Sequence, residues 1–170
     1  MASPSRIASN RWLKRIAKDI TGDVLAIGSL SGDKCDMDCE GDIYKHYFPK
    51  ASSYITSDVS GDVELILDIR DIHLPDGRFN CIYCDGVLEH VDDWQKGLKE
   101  MTRILANKGI LILGLPFRQA LHTFPDDYWR FTPYGIEYML KKDFNIIEMK
   151  AMDNRVKNFA TAYMVKAIKK

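Results

Sequence analysis

The sequence predicts a three-layer α/β domain: a Rossmann-like fold with a mostly parallel, seven-stranded sheet and a C-terminal antiparallel hairpin. Two observations predict this architecture. Short apolar runs alternate with amphipathic stretches of helix length, which is typical of strand–helix units around a parallel sheet. The last two apolar runs follow each other without a helix between them, which indicates an antiparallel pair. At 170 residues the chain has the length of a single domain, 1–170.

The apolar runs and the helical periodicity locate the elements in order. Strands are predicted at residues 24–27, 53–57, 63–67, 79–84, 110–115, 145–151 and 160–168. Helices are predicted at residues 10–21, 43–48, 94–105 and 134–142. Residues 1–9 are mostly small and polar, so we expect them to be flexible. Helix 10–21 has a basic face opposite an apolar one, and it is interpreted as a packed edge helix, a lid over the site or a membrane-surface anchor.

Composition excludes several classes of protein. Lys and Arg number 24 and Asp and Glu number 24, so no global charge favours nucleic acid. No apolar run has the length of a membrane span, and the N-terminus lacks a secretory core, so a cytoplasmic protein is expected. Cys81 and Cys84 lie three positions apart in one strand and therefore point to opposite faces, which favours buried small hydrophobes over zinc ligands. We expect no metal site.

Glycines and acids follow the first three predicted strands, where open α/β sheets bind ligands. The first strand continues into Gly28-Ser29-Leu30-Ser31-Gly32, and glycine lets a backbone turn tightly beside a ligand. The second strand ends at Asp58, whose carboxylate suits both hydroxyls of a ribose. The third strand ends at Asp68.

The chain is organised around the run from Phe79 to Val91, in which a buried strand ends at Asp85-Gly86 and an amphipathic stretch follows. Asp85–Val91 resembles the fourth motif of class I S-adenosylmethionine-dependent methyltransferases, and its Leu-Glu-His triplet is typical of their type 11 group. Glu100–Gly109 resembles the Glu-x-x-Arg-x-Leu stretch and glycine turn of that family, as part of the scaffold. The resemblance extends from about Val24 to the C-terminus and implies the class I methyltransferase fold.

The resemblance also implies a cofactor, S-adenosylmethionine, and a set of positions that would contact it. Gly28, Ser29 and Gly32 would face the methionine portion, and Asp58 the ribose. Asp68 and Ile69 would contact the adenine, and Asp85 and Gly86 would border the transfer site.

A long loop after the fifth strand carries the candidate substrate-side residues. It holds an imidazole, His122, with acids, aromatics and an arginine, Arg130, that can pair with Asp126 or Asp127. If the acceptor is a hydroxyl, a general base is useful. His122 is the first candidate and His90 the second, while loop stabilisation by His122 and a packing or cofactor-side role for His90 stay open.

The expected function is methyl transfer from S-adenosylmethionine to a small-molecule or sugar (glycan) acceptor. The alternative is a catalytically degenerate binding or scaffold subunit, because Ala26 and Leu30 stand where the family has an acid and a glycine. A dinucleotide oxidoreductase is disfavoured because the spacing Gly-x-Gly-x-x-Gly is absent. A protein partner or a homodimer remains open.

Overall fold

The computed structural model of the chain describes residues 4–29, 44–121, 126–152 and 159–170. Its helices are α1 (Pro4–Ala17), α2 (Trp94–Ile104) and α3 (Pro133–Leu140). Its strands are β1 (Gly22–Ile27), β2 (Ala51–Asp58), β3 (Leu65–Ile66), β4 (Phe79–Asp85), β5 (Leu105–Pro116), β6 (Phe144–Met152) and β7 (Ala162–Lys169). Short 3₁₀ turns occupy Lys45–Tyr47 and Leu88–His90.

The seven strands form one sheet in the order β3-β2-β1-β4-β5-β7-β6. Strands β1 to β5 pair in parallel, and β7 pairs antiparallel with both β5 and β6. The chain moves from β1 to β2 on one side and places β4 on the other, so the order reverses between β1 and β4. The predicted fold, with its C-terminal antiparallel hairpin, is confirmed.

Two apolar layers cover the sheet, one on each face. On one face α1 contributes Trp12 and Leu13 to a cluster that includes Cys81 and Tyr83 of β4. The other face, covered by α2 and α3, includes Cys84. Burial raises the pKa of both cysteine thiols, which agrees with the predicted role as buried hydrophobes on opposite faces.

Two local features differ from the sequence-based expectation. Helix α1 begins at Pro4 rather than at residue 10; proline is favoured in a first helical turn because it has no N–H group that would need a partner there. Helix α1 packs through Trp12 and Leu13, which agrees with the packed-helix interpretation. After α2 the left-handed residue is Lys108 (φ 61°) rather than Gly109. A side chain at Gly109 would instead approach the Ala106 carbonyl oxygen to 2.8 Å.

Helix starts and the scaffold motif follow the sequence closely. Asp93 caps α2 by accepting a hydrogen bond from Lys96 N, and Thr132 caps α3 in the same way. Arg103 donates to the carbonyl oxygens of Ile72 and Leu74, each at 2.6 Å, and so fixes the connection that precedes β4. Within the described residues, no helix has the length and apolar character that crossing a bilayer requires.

Candidate functional site

The candidate site lies at the carboxyl ends of β1 and β4, where the strand order reverses. Ligands of open α/β sheets bind at such a switch point. Gly28 (φ 81°) follows β1 and packs directly against Val87, which follows β4. A side chain at Gly28 would overlap Val87, so this glycine is required by contact between the two loops.

The first two residues of the glycine loop are tied to β2. The backbone N–H groups of Gly28 and Ser29 both donate to the Ser57 carbonyl oxygen, at 2.8 and 3.0 Å. Ser57 is fully buried, and its hydroxyl donates to the Ala26 carbonyl oxygen at 2.9 Å. The backbone of the glycine loop therefore leaves β1, at the carboxyl edge of the sheet, in a fixed orientation. Leu30, Gly32 and residues 33–42, a stretch that contains five acids, lie outside the described residues.

Asp58 ends β2 beside Gly28 with a half-buried side chain. Its Oδ1 accepts a hydrogen bond from Val59 N at 2.7 Å, which orients the carboxylate, and within the described residues Oδ2 accepts none. Val59, the next residue, is 62% exposed. A carboxylate next to an exposed apolar side chain can hold a sugar diol and cover one face of an attached ring. Val59 was not among the residues predicted from sequence, although an apolar residue directly after a strand-tip acid is a visible signal.

Asp68 is engaged by Arg70. Arg70 donates from its backbone N–H and from Nε to Oδ1, at 2.8 and 3.0 Å, and from Nη2 to Oδ2 at 2.7 Å. These hydrogen bonds lower the pKa of Asp68, and Arg70 Nη1 also bridges to Asp92 Oδ1 at 2.8 Å. Ile69 is 3% exposed and packs on Gly97 of α2. The two positions assigned to adenine thus present an ion pair and a core side chain.

Asp85, the last residue of β4, is placed by two neighbours. Its Oδ2 accepts a hydrogen bond from the buried Tyr83 hydroxyl at 3.0 Å, and burial raises the pKa of Tyr83, which keeps that donor protonated. Its carboxylate lies against Gly114 of β5, where any side chain would overlap it. Gly86 (φ 71°) turns the chain away, and its N–H donates to the Gly114 carbonyl oxygen at 3.1 Å.

His90 joins the turn after β4 to the long loop. Its Nδ1 lies 2.6 Å from the Asp126 carbonyl oxygen, so Nδ1 carries the proton. The Glu89 carbonyl oxygen accepts from Tyr128 N at 2.8 Å, and Trp129 Nε1 donates to the Val91 carbonyl oxygen at 2.9 Å. His90 therefore positions this loop as the structure stands. His122 lies outside the described residues.

A cleft of about 590 Å³ opens beside this loop. Phe117, Arg118, Tyr128, Trp129 and Arg130 contribute to its lining. Arg130 pairs with the buried Asp127 carboxylate, through Nη1 and through Nη2 at 2.6 Å, which settles the choice between Asp126 and Asp127. Half-exposed aromatic rings with fixed polar groups are typical of the walls of small-molecule sites.

Part of the sequence matches a known family model. Residues 42–113 match the model described as a methyltransferase domain. The matched stretch contains Asp58, Asp68 and Asp85, and it includes the motif from which the resemblance was drawn. The predicted resemblance is therefore confirmed. No curated protein sequence gives a significant match.

Solved structures share the fold over nearly the whole chain. The N-methyltransferase NodS from Bradyrhizobium japonicum WM9, in complex with S-adenosyl-L-homocysteine, superposes with a TM-score of 0.73 at 14% identity, over 98% of this chain and 88% of that one. The 1,6-didemethyltoxoflavin-N1-methyltransferase from Burkholderia thailandensis gives 0.70 at 15%, over 99% and 91%. The [4+2]-cyclase SpnF gives 0.72 at 12%, over 97% and 80%. At these identities the likeness establishes the fold.

Proposed function

We propose that this chain, whose residues 42–113 match the methyltransferase-domain model, is an S-adenosylmethionine-dependent methyltransferase that acts on a small molecule or a sugar. The observation that carries the proposal is the carboxylate pair Asp58 and Asp85, which stand at the ends of β2 and β4 on either side of the β1 loop. Two proteins of similar fold, NodS and the 1,6-didemethyltoxoflavin-N1-methyltransferase, are methyltransferases that were solved with S-adenosylhomocysteine.

The residues fit the cofactor in part. Asp58 offers an open carboxylate oxygen to the ribose hydroxyls, and exposed Val59 offers an apolar surface to the adenine. Asp68 is paired with Arg70, and Ile69 is buried in the core. An adenine that contacts Asp68 would have to share its carboxylate with Arg70. The assignment of Asp68 and Ile69 to the adenine stays a prediction.

Bound S-adenosylmethionine supplies an electrophilic methyl group on a sulfonium, so the protein has to align the acceptor and exclude water. Asp85 and Gly86 border the place where β1 and β4 meet. The Asp127–Arg130 pair and His90 hold the wall that carries Tyr128 and Trp129. This wall suits a small acceptor with an apolar or sugar face, because aromatic rings pack against both.

The degenerate-scaffold alternative is supported by a specific observation. Val87 fills the space over Gly28, and the N–H groups of Gly28 and Ser29 are bonded to Ser57 rather than directed at a ligand. In that alternative the protein's own residues cover the carboxyl edge of the sheet, and no cofactor binds there.

Calorimetric titration with S-adenosylmethionine and, separately, S-adenosylhomocysteine distinguishes the two. We expect micromolar binding, which Asp58→Asn weakens by about 10- to 100-fold because a charge-assisted hydrogen bond to the ribose is lost. Asp62→Asn, an exposed acid four residues further on, is the matched control and should change the affinity less than about twofold. No heat and no thermal shift at millimolar ligand would establish the scaffold instead.

A further inference from the structure

The Asp85 carboxylate is held in one place at the edge of the sheet. Alternation along β4 puts Tyr83 and Asp85 on the same face, the face that α1 covers. The Tyr83 hydroxyl binds one carboxylate oxygen at 3.0 Å, and the missing side chain of Gly114 makes the space in which the carboxylate lies. A buried donor below and a glycine beside it fix the direction of this side chain.

This carboxylate retains capacity for a ligand. Its side chain is 22% exposed, and Arg6 Nη1 forms an ion pair with Oδ2 at 4.0 Å, a separation beyond hydrogen-bond distance. The Arg6 guanidinium donates to the Tyr44 hydroxyl instead. In the described part of the chain, Tyr83 is the only hydrogen-bond donor to Asp85. One carboxylate oxygen is therefore left to accept a proton donor that comes from outside.

We propose that Asp85 binds the acceptor itself and that the acceptor atom is an amine nitrogen. This inference rests on the proposed methyltransferase function. The nitrogen lone pair forms the N–C bond while the S–C bond breaks, and the electron pair of that bond stays on sulfur. The nitrogen thereby gains a positive charge, and its surplus proton passes to the Asp85 carboxylate and on to water. A fixed negative charge beside the nitrogen favours this transition state.

A hydroxyl acceptor fits this arrangement less well. A hydroxyl is a poor nucleophile at neutral pH and needs a strong base, whereas carboxylates are weak bases. His90, the described imidazole nearest to Asp85 along the chain, donates from Nδ1 to the Asp126 carbonyl oxygen, its Nε2 lies 3.9 Å from Oε1 of the buried Glu89, and its side chain is only 13% exposed. A neutral amine is already nucleophilic and gains mainly from a nearby negative charge, which Asp85 supplies.

The first test needs no knowledge of the natural acceptor. Sinefungin carries a CH–NH₃⁺ group where S-adenosylmethionine has S–CH₃, so its ammonium would lie at the position of the transferred methyl. We expect the wild-type protein to bind sinefungin at least about tenfold more tightly than S-adenosylhomocysteine, since a charge-assisted hydrogen bond to Asp85 is added. Asp85→Asn should abolish this preference and leave S-adenosylhomocysteine affinity within about threefold, while Asp62→Asn should keep both.

The possible results distinguish a failure of the inference about Asp85 from a failure of the proposed methyltransferase function. If both ligands bind and Asp85→Asn keeps the preference, or if the wild type shows none, the inference is overturned and the proposed function stands. If neither ligand binds the wild type, the proposed function is overturned and the inference with it.

The second test addresses the acceptor atom. Transfer of tritiated methyl is compared between matched amine and alcohol pairs, such as benzylamine with benzyl alcohol and an amino sugar with its parent sugar. Greater transfer to the amine in each pair that reacts, lost in Asp85→Asn, supports nitrogen. Transfer to the alcohols that equals or exceeds transfer to the amines overturns it.

Discussion

Replacing Gly114 by alanine tests whether the position of the Asp85 carboxylate depends on the space that this glycine leaves. The new methyl group would overlap the Asp85 side chain, lying 2.5 Å from its Cγ and 2.9 Å from Met164 Sδ. Ordinary van der Waals contact begins at 3.4 Å. To reach ordinary contact, the Asp85 carboxyl carbon would have to move by about 0.9 Å, the difference between 3.4 and 2.5 Å.

Such a movement changes both stability and ligand preference. Separating Asp85 from Tyr83 leaves a buried hydroxyl without its acceptor, which costs about 1–3 kcal/mol, and overpacking adds a similar amount. The gain from replacing a strand glycine offsets up to about 1 kcal/mol. We expect a net loss of about 3 kcal/mol, which lowers the melting temperature by roughly 6–12 °C in a chain of this size. The preference for sinefungin should fall about tenfold, since the carboxylate no longer faces the ammonium.

Thermal unfolding and calorimetric titration measure the two effects. Gly97→Ala is the matched control, because its added methyl group would lie at ordinary contact distance, 3.4 Å, from Ile69 Cγ2 and because alanine is favoured in helices. Tyr83→Phe removes the hydrogen bond without overpacking and should reproduce part of the lost preference. If Gly114→Ala kept both the melting temperature and the ligand preference of the wild type, the carboxylate could be relocated freely, and the argument from its placement would be wrong.

Two further predictions concern the ion pairs. Arg103→Gln should lower the free energy of unfolding by about 3 kcal/mol, because charged hydrogen bonds to two backbone carbonyls are lost. Urea denaturation measures the change. The control Lys99→Gln, at an exposed position on the same helix, should change the free energy of unfolding by less than about 0.5 kcal/mol. Because Arg70 lowers the pKa of Asp68 in the folded state, this carboxylate stabilises the fold above its unfolded pKa of about 3.9 and loses that effect as the pH falls further. Acid titrations of stability should therefore show a shallower decline for Arg70→Met than for the wild type, and identical acid limbs would contradict the pairing.

The fold was largely predictable because its signals are local. Apolar runs gave every strand. Asp93 and Thr132, whose residue types favour N-caps, stand at the starts of α2 and α3 and form the caps. The turn after α2 was located less accurately. The left-handed conformation falls on Lys108, while Gly109 is needed because a side chain there would approach the Ala106 carbonyl oxygen to 2.8 Å.

The site was predictable at the strand tips and less so beyond them. A strand that ends in an acid places that acid at the carboxyl edge, so the positions of Asp58 and Asp85 follow from sequence. The partners of these acids do not, because they depend on contacts between elements. Gly28 faces Val87, 59 residues further along the chain, and no local pattern indicates that pair. Ile69 lies in a connection after β3, where strand alternation no longer determines which way a side chain points.

Asp58, Asp68 and Asp85, the three acids at strand ends, have different hydrogen-bond partners, and these partners indicate different roles. Arg70 engages both oxygens of Asp68, so this carboxylate mainly joins the β3 connection to the region before α2. Asp58 and Asp85 each accept one hydrogen bond from the described chain and keep an oxygen for a ligand. Hydrogen-bonding capacity left at a partly buried carboxylate is costly unless something binds there. Since β1 lies between β2 and β4, these two acids stand on either side of the switch point, which is where a nucleoside and a methyl acceptor would have to meet.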